Sequence, residues 1–475
     1  MAKDILALKP SKLWECFYSL TQIPRPTGHT AAVCKYLIEF GKSLGLEVEQ
    51  DETGNVLITK PASAGMENAP TVILQSHLDM VPQKNSHVDH DFEKDAIDAY
   101  IDGDKVRARS TTLGADNGIG AAAAMAILAD NTLTHGKIEA LFTIDEEVGM
   151  VGAFGLQPGF LSGDILLNLD TEELGELCVG CAGGADVNAE WQYKDAEVPA
   201  GDIAYKISLT GLRGGHSGTE IHLGRANANK LMFYLLKEAV SSYDVRLSHI
   251  DGGSLRNAIP REAFAIVALV EEYEARYAEE YKAVEQKISL KAEKTALPAT
   301  LIPEEIQDAL INSVVACQNG VIGMLADEAF DGIVETSTNL ASVKSKEGEI
   351  VAQMLVRSSS DDRKEEVCSS LESVFALAGA KVIIDGVYPG WQPDASSKTL
   401  SAMESLYKEM FDEDANVVVV HAGLECGIIL GSTPGLDIVS FGPTILNAHS
   451  PDEYVEIDTV EPFYEYLIKT LERLK

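Results

Sequence analysis

Two histidines and a set of carboxylates stand at positions in this chain where strands give way to loops, and their types suit a metal centre. His77 and Asp79 lie in SHLDMVP, Asp116 in LGADNGIG, Glu146 and Glu147 in TIDEEVGM, Asp170 in LNLDTEE and His449 in GPTILNAHSPDE. Each alone has an ordinary explanation. His77 reads as a satisfied structural histidine, Asp116 as a helix N-cap, and Asp145–Glu147 as a solvated acidic loop. Three consecutive carboxylates closing the apolar stretch IEALFTI repel one another, however, and a bound cation or a raised pKa relieves that repulsion. Imidazole and carboxylate together suit zinc or a similar divalent ion. Five ligands, His77, Asp116, Glu147, Asp170 and His449, exceed what one open catalytic zinc needs. They suit two ions sharing a carboxylate, roughly 3.5–4 Å apart and able to clamp a hydrolytic transition state. Glu146 is then left beside the ions, placed to carry a proton from an attacking water to a leaving amine. Asp79, two residues from His77 in an extended segment, points the same way and orients the imidazole.

The elements that position these residues are legible as alternating apolar runs and a helix. Thr71–Ser76, Ile138–Ile144 and Asp164–Leu169 read as buried strands, and the alanine-rich Asn117–Asp130 reads as a helix. That alternation predicts an α/β layer with a mostly parallel sheet, whose working residues sit at the carboxyl ends of the strands. From about Val187 the pattern changes. Ala204–Thr210 and Ala263–Val270 alternate as antiparallel strands do, beside a charged run, Glu271–Glu293, that reads as helical. VYPGWQP (Val387–Pro393) marks a return, after which Asp437–Phe441 reads as a further strand. The expected organisation is an α/β catalytic domain, residues 1–186 and 394–475, interrupted by an inserted α+β lid domain with an antiparallel sheet, residues 187–393.

Bulk properties narrow the partners. The 475 residues carry 38 basic and 74 acidic side chains, a formal charge of -36. Such a surface repels phosphate backbones and anionic lipid, so neither nucleic acid nor membrane is expected as a partner. The first twenty residues have scattered charges rather than the apolar core of a secretory signal. No stretch of about 18 apolar residues occurs. Seven dispersed cysteines fit reduced thiols in a cytoplasmic protein. Cys178 and Cys181 form a lone CxxC with no companion pair, read as two small strand or turn residues.

SHLDMVP, LGADNGIG, TIDEEVGM, LNLDTEE, LRGGHSG and NAHSPDE, in this order over nearly the whole chain, resemble the di-zinc dipeptidases, and most closely the aminoacyl-histidine dipeptidases, or cytosol non-specific dipeptidases. The resemblance implies that Asp116 bridges two divalent ions, zinc with cobalt or manganese as alternatives. His77 and Asp170 complete one, Glu147 and His449 the other. It implies Glu146 as general base and then acid, and His216, in GGHSG of the lid, as oxyanion donor, in its own chain's site or a partner's. Asn257 in GGSLRNAIP and Gly423 in HAGLECGII become substrate contacts, and Arg357 in MLVRSSS the clamp on the terminal carboxylate. The implied substrates are Xaa-His dipeptides such as β-alanyl-histidine and other short unblocked dipeptides, and the implied assembly a homodimer. An aminoacylase, an aminopeptidase or a silent peptide-binding protein on the same scaffold are the alternatives. His87, His90, His222 and His421 are read as structural or exposed.

Overall fold

Val72–His77, Ile138–Thr143 and Ile165–Asn168 are short, rich in branched residues and buried along their whole length. Runs of this kind suit strands covered on both faces. In the computed structural model, which describes residues 2–199, 202–243, 245–267 and 280–475, they lie parallel, and Asp437–Ser440 joins as a fourth. The full sheet has eight strands in the order Glu47–Gln50, Val56–Lys60, Ile138–Thr143, Val72–His77, Ile165–Asn168, Asp437–Ser440, Glu176–Cys181 and Asn416–Val420. Around the parallel centre the pairings of Glu47–Gln50 with Val56–Lys60, of Val56–Lys60 with Ile138–Thr143, and of Asp437–Ser440 with Glu176–Cys181 are antiparallel. The sheet is therefore mixed, and the site is built at its parallel centre.

The alanine-rich segment is the helix Ala115–Ala129, buried on nearly all sides. Small side chains permit that close packing, and an all-round apolar helix belongs in a core. Its carboxyl end is closed by Lys60, whose Nζ donates to the carbonyls of Ile127 (2.9 Å) and Asp130 (2.5 Å). Lysine at a helix C-terminus satisfies exposed carbonyls and complements the dipole there.

Contacts divide the chain into two units: residues 1–180, 393–419 and 424–475, and residues 181–392 with 420–423. The expected division at 186/187 falls inside the strand Gly183–Gln192, which pairs with two strands of the second unit and so belongs to it whole. At the far end Trp391 bridges back to Cys181, and the second unit closes at Gln392.

The second unit carries a nine-stranded sheet. Its order is Ser289–Thr295, Ala204–Thr210, Ala263–Ile266, Ile250–Gly252, Val334–Lys346, Glu349–Ser358, Gly183–Gln192 and Lys381–Tyr388, with Gly320–Met324 also pairing to Val334–Lys346. The pairings within it are antiparallel. Helices Ala228–Tyr243, Glu304–Ala316 and Asp361–Leu377 send Met232, Leu310 and Phe375 into one core with Val187, Ile207 and Met354 of the strands.

Of the run read as helical from Glu271 to Glu293, residues 271–279 lie outside the described residues, and its last part is strand, Ser289–Thr295. There Leu290 is buried opposite Leu209, and seven strand pairings to Ala204–Thr210 outweigh the helix propensity of lysine and glutamate. Likewise Ala263–Val270 is strand only over Ala263–Ile266, and residues 268–270 lie outside the described residues. All seven cysteines are buried, with no disulfide among the described residues, and Cys178 and Cys181 lie in the strand Glu176–Cys181.

Candidate metal centre and active site

The parallel strands end together, and their ends carry the acidic and imidazole groups. His77 is the last residue of its strand, Asp145–Glu147 follow Thr143 closely, and Asp170 follows Asn168. Asp116 arrives from the helix Ala115–Ala129. Its backbone is not yet helical (φ -76°, ψ 116°), the N-cap is Gly114, and its carboxylate caps nothing. Instead Asp116 Oδ1 lies 3.0 Å from His77 Nε2, and Oδ2 lies 3.1 Å from His449 Nε2. Asp170 adds an oxygen 3.5 Å from His77 Nε2, and Glu147 one 3.0 Å from His449 Nε2. One carboxylate thus faces two histidines with its two oxygens, and each histidine has a second acid of its own.

The potential ligand atoms of His77, Asp116 and Asp170 all lie within 4.8 Å of one another, and so do those of Asp116, Glu147 and His449. Glu146 shares such a neighbourhood with His77 and Glu147. Among the described residues its carboxylate accepts no hydrogen bond.

Without cations the cluster is neutralised by protons. Burial would lower the pKa of His77, but Asp170, Asp116 and Asp79 outweigh it and hold it well above its ordinary value. Hydrogen bonds to Asp116 and Glu147 raise His449 to about 11. Burial opposes the ionisation of Asp116, yet both histidines hold its carboxyl below the usual range. Glu146 goes the other way: burial, with Asp170, Glu425 and Glu147 nearby, raises it well above an ordinary glutamate. A donor set that must borrow protons to bear its own negative charge fits two dications, which supply the same charge and displace the protons.

A polar frame fixes these groups. Asp79, fully buried, accepts the N–H of Glu146 (3.0 Å) and of Glu147 (3.3 Å) and the Thr27 hydroxyl (2.9 Å), while its Oδ1 lies 3.5 Å from His77 Nδ1. Glu453 accepts the N–H groups of Leu113 (2.7 Å), Gly114 (3.0 Å), Ala115 (2.7 Å) and Asp116 (3.3 Å), so it holds the turn that presents Asp116. Arg25, buried, donates to the carbonyls of Leu78 (2.8 Å) and Gly114 (2.5 Å), linking the His77 and Asp116 segments. Asn117 Nδ2 donates to Leu169 O (2.8 Å) and to the Asp170 carboxylate. Glu425 accepts from Gln75 (2.7 Å) and Thr143 (2.7 Å) under the strand ends. None of Arg25, Asn117, Glu425 or Glu453 was singled out from sequence. The available signal was weak, a glutamate four residues past His449 and an asparagine beside Asp116.

The second unit gathers the remaining expected residues. The Nδ1 of His216 accepts the N–H of Gly218 (3.2 Å) and of Thr219 (3.0 Å), so the proton of its neutral ring sits on Nε2. Burial and Arg357 both lower its pKa and favour that neutral form. Asn257 is exposed, and its carbonyl accepts the Ser217 N–H (2.8 Å), beside the pairing of His216 with Ala258. Gly423 belongs to the short return 420–423. His421, read as structural or exposed, is buried, and its Nε2 is 2.7 Å from Ser337 Oγ. His87 and His222 are exposed, and His90 is half-buried.

The chain is 44% identical over 482 residues to the cytosol non-specific dipeptidase of Escherichia coli (strain K12), covering 99% of each. The crystal structure of the aminoacylhistidine dipeptidase from Vibrio alginolyticus is 44% identical, covers 100% of this chain and 99% of that one, and superposes with a TM-score of 0.93. The aminopeptidase PepT of Bacillus cereus ATCC 10987, at 17% identity, 98% and 99% coverage and a TM-score of 0.59, shares the fold. Residues 73–473 match peptidase family M20/M25/M40, and the chain belongs to that family.

Proposed function

We propose that this chain is a metal-dependent dipeptidase that hydrolyses unblocked dipeptides, Xaa-His substrates such as β-alanyl-histidine among them, using two divalent ions, zinc in the first instance. The observation that carries the reading is Asp116, whose two oxygens each face a different histidine–acid pair, with the unshared carboxylate of Glu146 alongside. The dipeptidase relatives, similar over the whole chain, support the substrate class.

His77, Asp116 and Asp170 would hold one ion, and Asp116, Glu147 and His449 the other. When bound, the ions acidify a water and polarise the scissile carbonyl. Glu146, burdened by burial and neighbouring carboxylates, accepts the proton as the water's oxygen adds to the carbonyl carbon. It returns that proton to the amide nitrogen as the C–N bond breaks, so one water is consumed and two amino acids leave. His216, with its proton on Nε2, has the tautomer needed to donate to the tetrahedral oxyanion. Arg357 offers a planar fork to the terminal carboxylate, which limits substrates to short peptides. Asn257 and Gly423 line the substrate path. The same reading carries a homodimer in the cytosol, in which His216 serves either its own chain's site or the partner's. No helix among the described residues is long and apolar enough to cross a membrane.

The test is hydrolysis of an Xaa-His dipeptide by zinc-loaded protein, with and without chelator, beside an N-acetyl amino acid and a tripeptide. Chelator-sensitive release of histidine from the dipeptide is expected. Cleavage of only the acetylated or the longer substrate would move the assignment to an acylase or aminopeptidase.

A further inference from the structure

The second unit buries a cation that has no anion against it. Arg357 is 5% exposed. Its Nη1 reaches the Tyr388 hydroxyl (3.2 Å), its Nε is buried without a partner, and no carboxylate lies within ion-pair distance among the described residues. A buried guanidinium lacking a counter-ion is strongly disfavoured unless an anionic ligand completes it.

Strand register shows how this cation is framed. Ser337 stands directly across from Arg357, Arg357 across from Gly184, and Gly184 across from Tyr388. Residues opposite one another on neighbouring strands share a sheet face, so Ser337, Arg357 and Tyr388 form a row. Gly184 leaves the gap the tyrosine needs, since a Cβ there would meet its ring at 2.5 Å. At the other end of the row His421 is hydrogen-bonded to Ser337. Its position is pinned on both sides, because the Ala182 N–H lies 3.0 Å from Val420 O and 3.1 Å from Ala422 O. Gly218 closes over the row: a Cβ on it would lie 2.0 Å from the His421 carbonyl oxygen and 3.1 Å from both Arg357 Nε and His216 Cε1. Next to it the Ser217 hydroxyl, on a residue 2% exposed, is also buried without a partner.

We propose that Arg357, Ser217 and His421 form one seat for a single carboxylate, and that His421 is a binding residue for the terminal carboxylate of the dipeptide. The inference rests on the dipeptidase reading and extends it to Ser217 and His421, to which no functional role was assigned from sequence. Arg357 Nε–H, the Ser217 hydroxyl and one imidazole N–H are three donors for a group with about four acceptor sites. In this seat the Ser337 hydroxyl donates to His421 Nε2, 2.7 Å away, and the imidazole proton on Nδ1 is the one offered to the carboxylate. Burial, together with Arg357, His216 and His222, pushes the His421 pKa down to about 3, so the ring stays neutral. The seat then holds one positive charge, matched to one carboxylate.

The experiment is steady-state hydrolysis of an Xaa-Gly dipeptide by the metal-loaded wild type and by His421→Phe, His421→Gln and Ser337→Ala. Glycine as the leaving residue offers no side chain, so only its carboxylate can be read. His421→Phe is expected to raise KM roughly tenfold with kcat within about twofold, as loss of one hydrogen bond to a charged group predicts. His421→Gln, which keeps an N–H donor, is expected to recover most of the loss, and Ser337→Ala to fall between. An unchanged KM, a fall in kcat alone, or a glutamine variant no better than phenylalanine overturns the seat while wild-type turnover leaves the dipeptidase reading standing. No turnover of any dipeptide by the wild type overturns the reading itself.

Discussion

The carboxylate of Asp79 holds the backbone of Glu146: the Glu146 N–H donates to Asp79 Oδ1 at 3.0 Å, and the same oxygen lies 3.5 Å from His77 Nδ1. One buried residue therefore holds both the imidazole proposed to bind metal, with its carbonyl oxygen 3.2 Å from His77 Nδ1 beside the carboxylate, and the backbone of the proposed proton carrier. Asp79→Asn retains the shape but puts an amide where an acceptor is needed. Its kcat/KM is expected to fall about 10–100-fold, with weaker metal affinity, the usual scale for losing an orienting partner of a ligand. Kinetics with parallel metal titration decide it. Wild-type values for both would show that His77 and Glu146 hold their places without Asp79.

Glu146 and Glu147 adjoin in sequence but are expected to fail differently. Glu146→Gln should lower kcat by about 10²–10⁴-fold, the span of general acid–base contributions, at undiminished metal content. Glu147→Gln should lose metal, since that carboxylate faces His449 at 3.0 Å. Elemental analysis of the two purified variants separates the roles. Equal metal loss in both would remove the distinction between carrier and ligand.

Metal loading is expected to release protons. His77 and His449 carry raised pKa values in the metal-free protein, His449 at about 11, so both are protonated at neutral pH. An imidazole must be neutral to bind a metal, so uptake displaces about one proton from each ring, and affinity rises with pH. The sign for the metal-free fold is opposite. A histidine whose folded pKa lies above its unfolded value near 6.5 adds stability below that value, and the contribution is lost as pH climbs towards 11. Zinc titration calorimetry in buffers of different ionisation enthalpy measures the release. A buffer-independent heat would contradict it.

Glu453 satisfies four consecutive backbone amides just ahead of Asn117. Glu453→Ala leaves those buried donors unpaired, each at a cost of about 1–3 kcal/mol before any relaxation. A net loss of about 3 kcal/mol or more in unfolding free energy is expected, accompanied by loss of metal as Asp116 is released. Denaturant unfolding with metal analysis checks both. A variant destabilised by less than about 1 kcal/mol would mean that the turn finds other acceptors.

The six residues that the structure brings together, His77, Asp116, Glu146, Glu147, Asp170 and His449, could be picked out because metal chemistry restricts residue types, and because His77, Glu147 and Asp170 follow runs whose burial in parallel strands shows in composition alone. The ends of Val72–His77, Ile138–Thr143 and Ile165–Asn168 fall within one or two residues of their reading for the same reason. What could not be read is pairing. Asp116 is indistinguishable in sequence from a helix cap, and only the fold turns its two oxygens to histidines 39 and 333 positions away. Ser289–Thr295 looks helical by local propensity and becomes strand because Ala204–Thr210 offers a partner. Glu453 and His421 acquire their surroundings from segments distant in the chain, the first from amides 337–340 residues earlier. Local side-chain chemistry is written residue by residue, so sequence alone determined the candidate donor groups and the strands that end beside them. Which groups meet depends on register and long-range burial, and those only the tertiary structure decided.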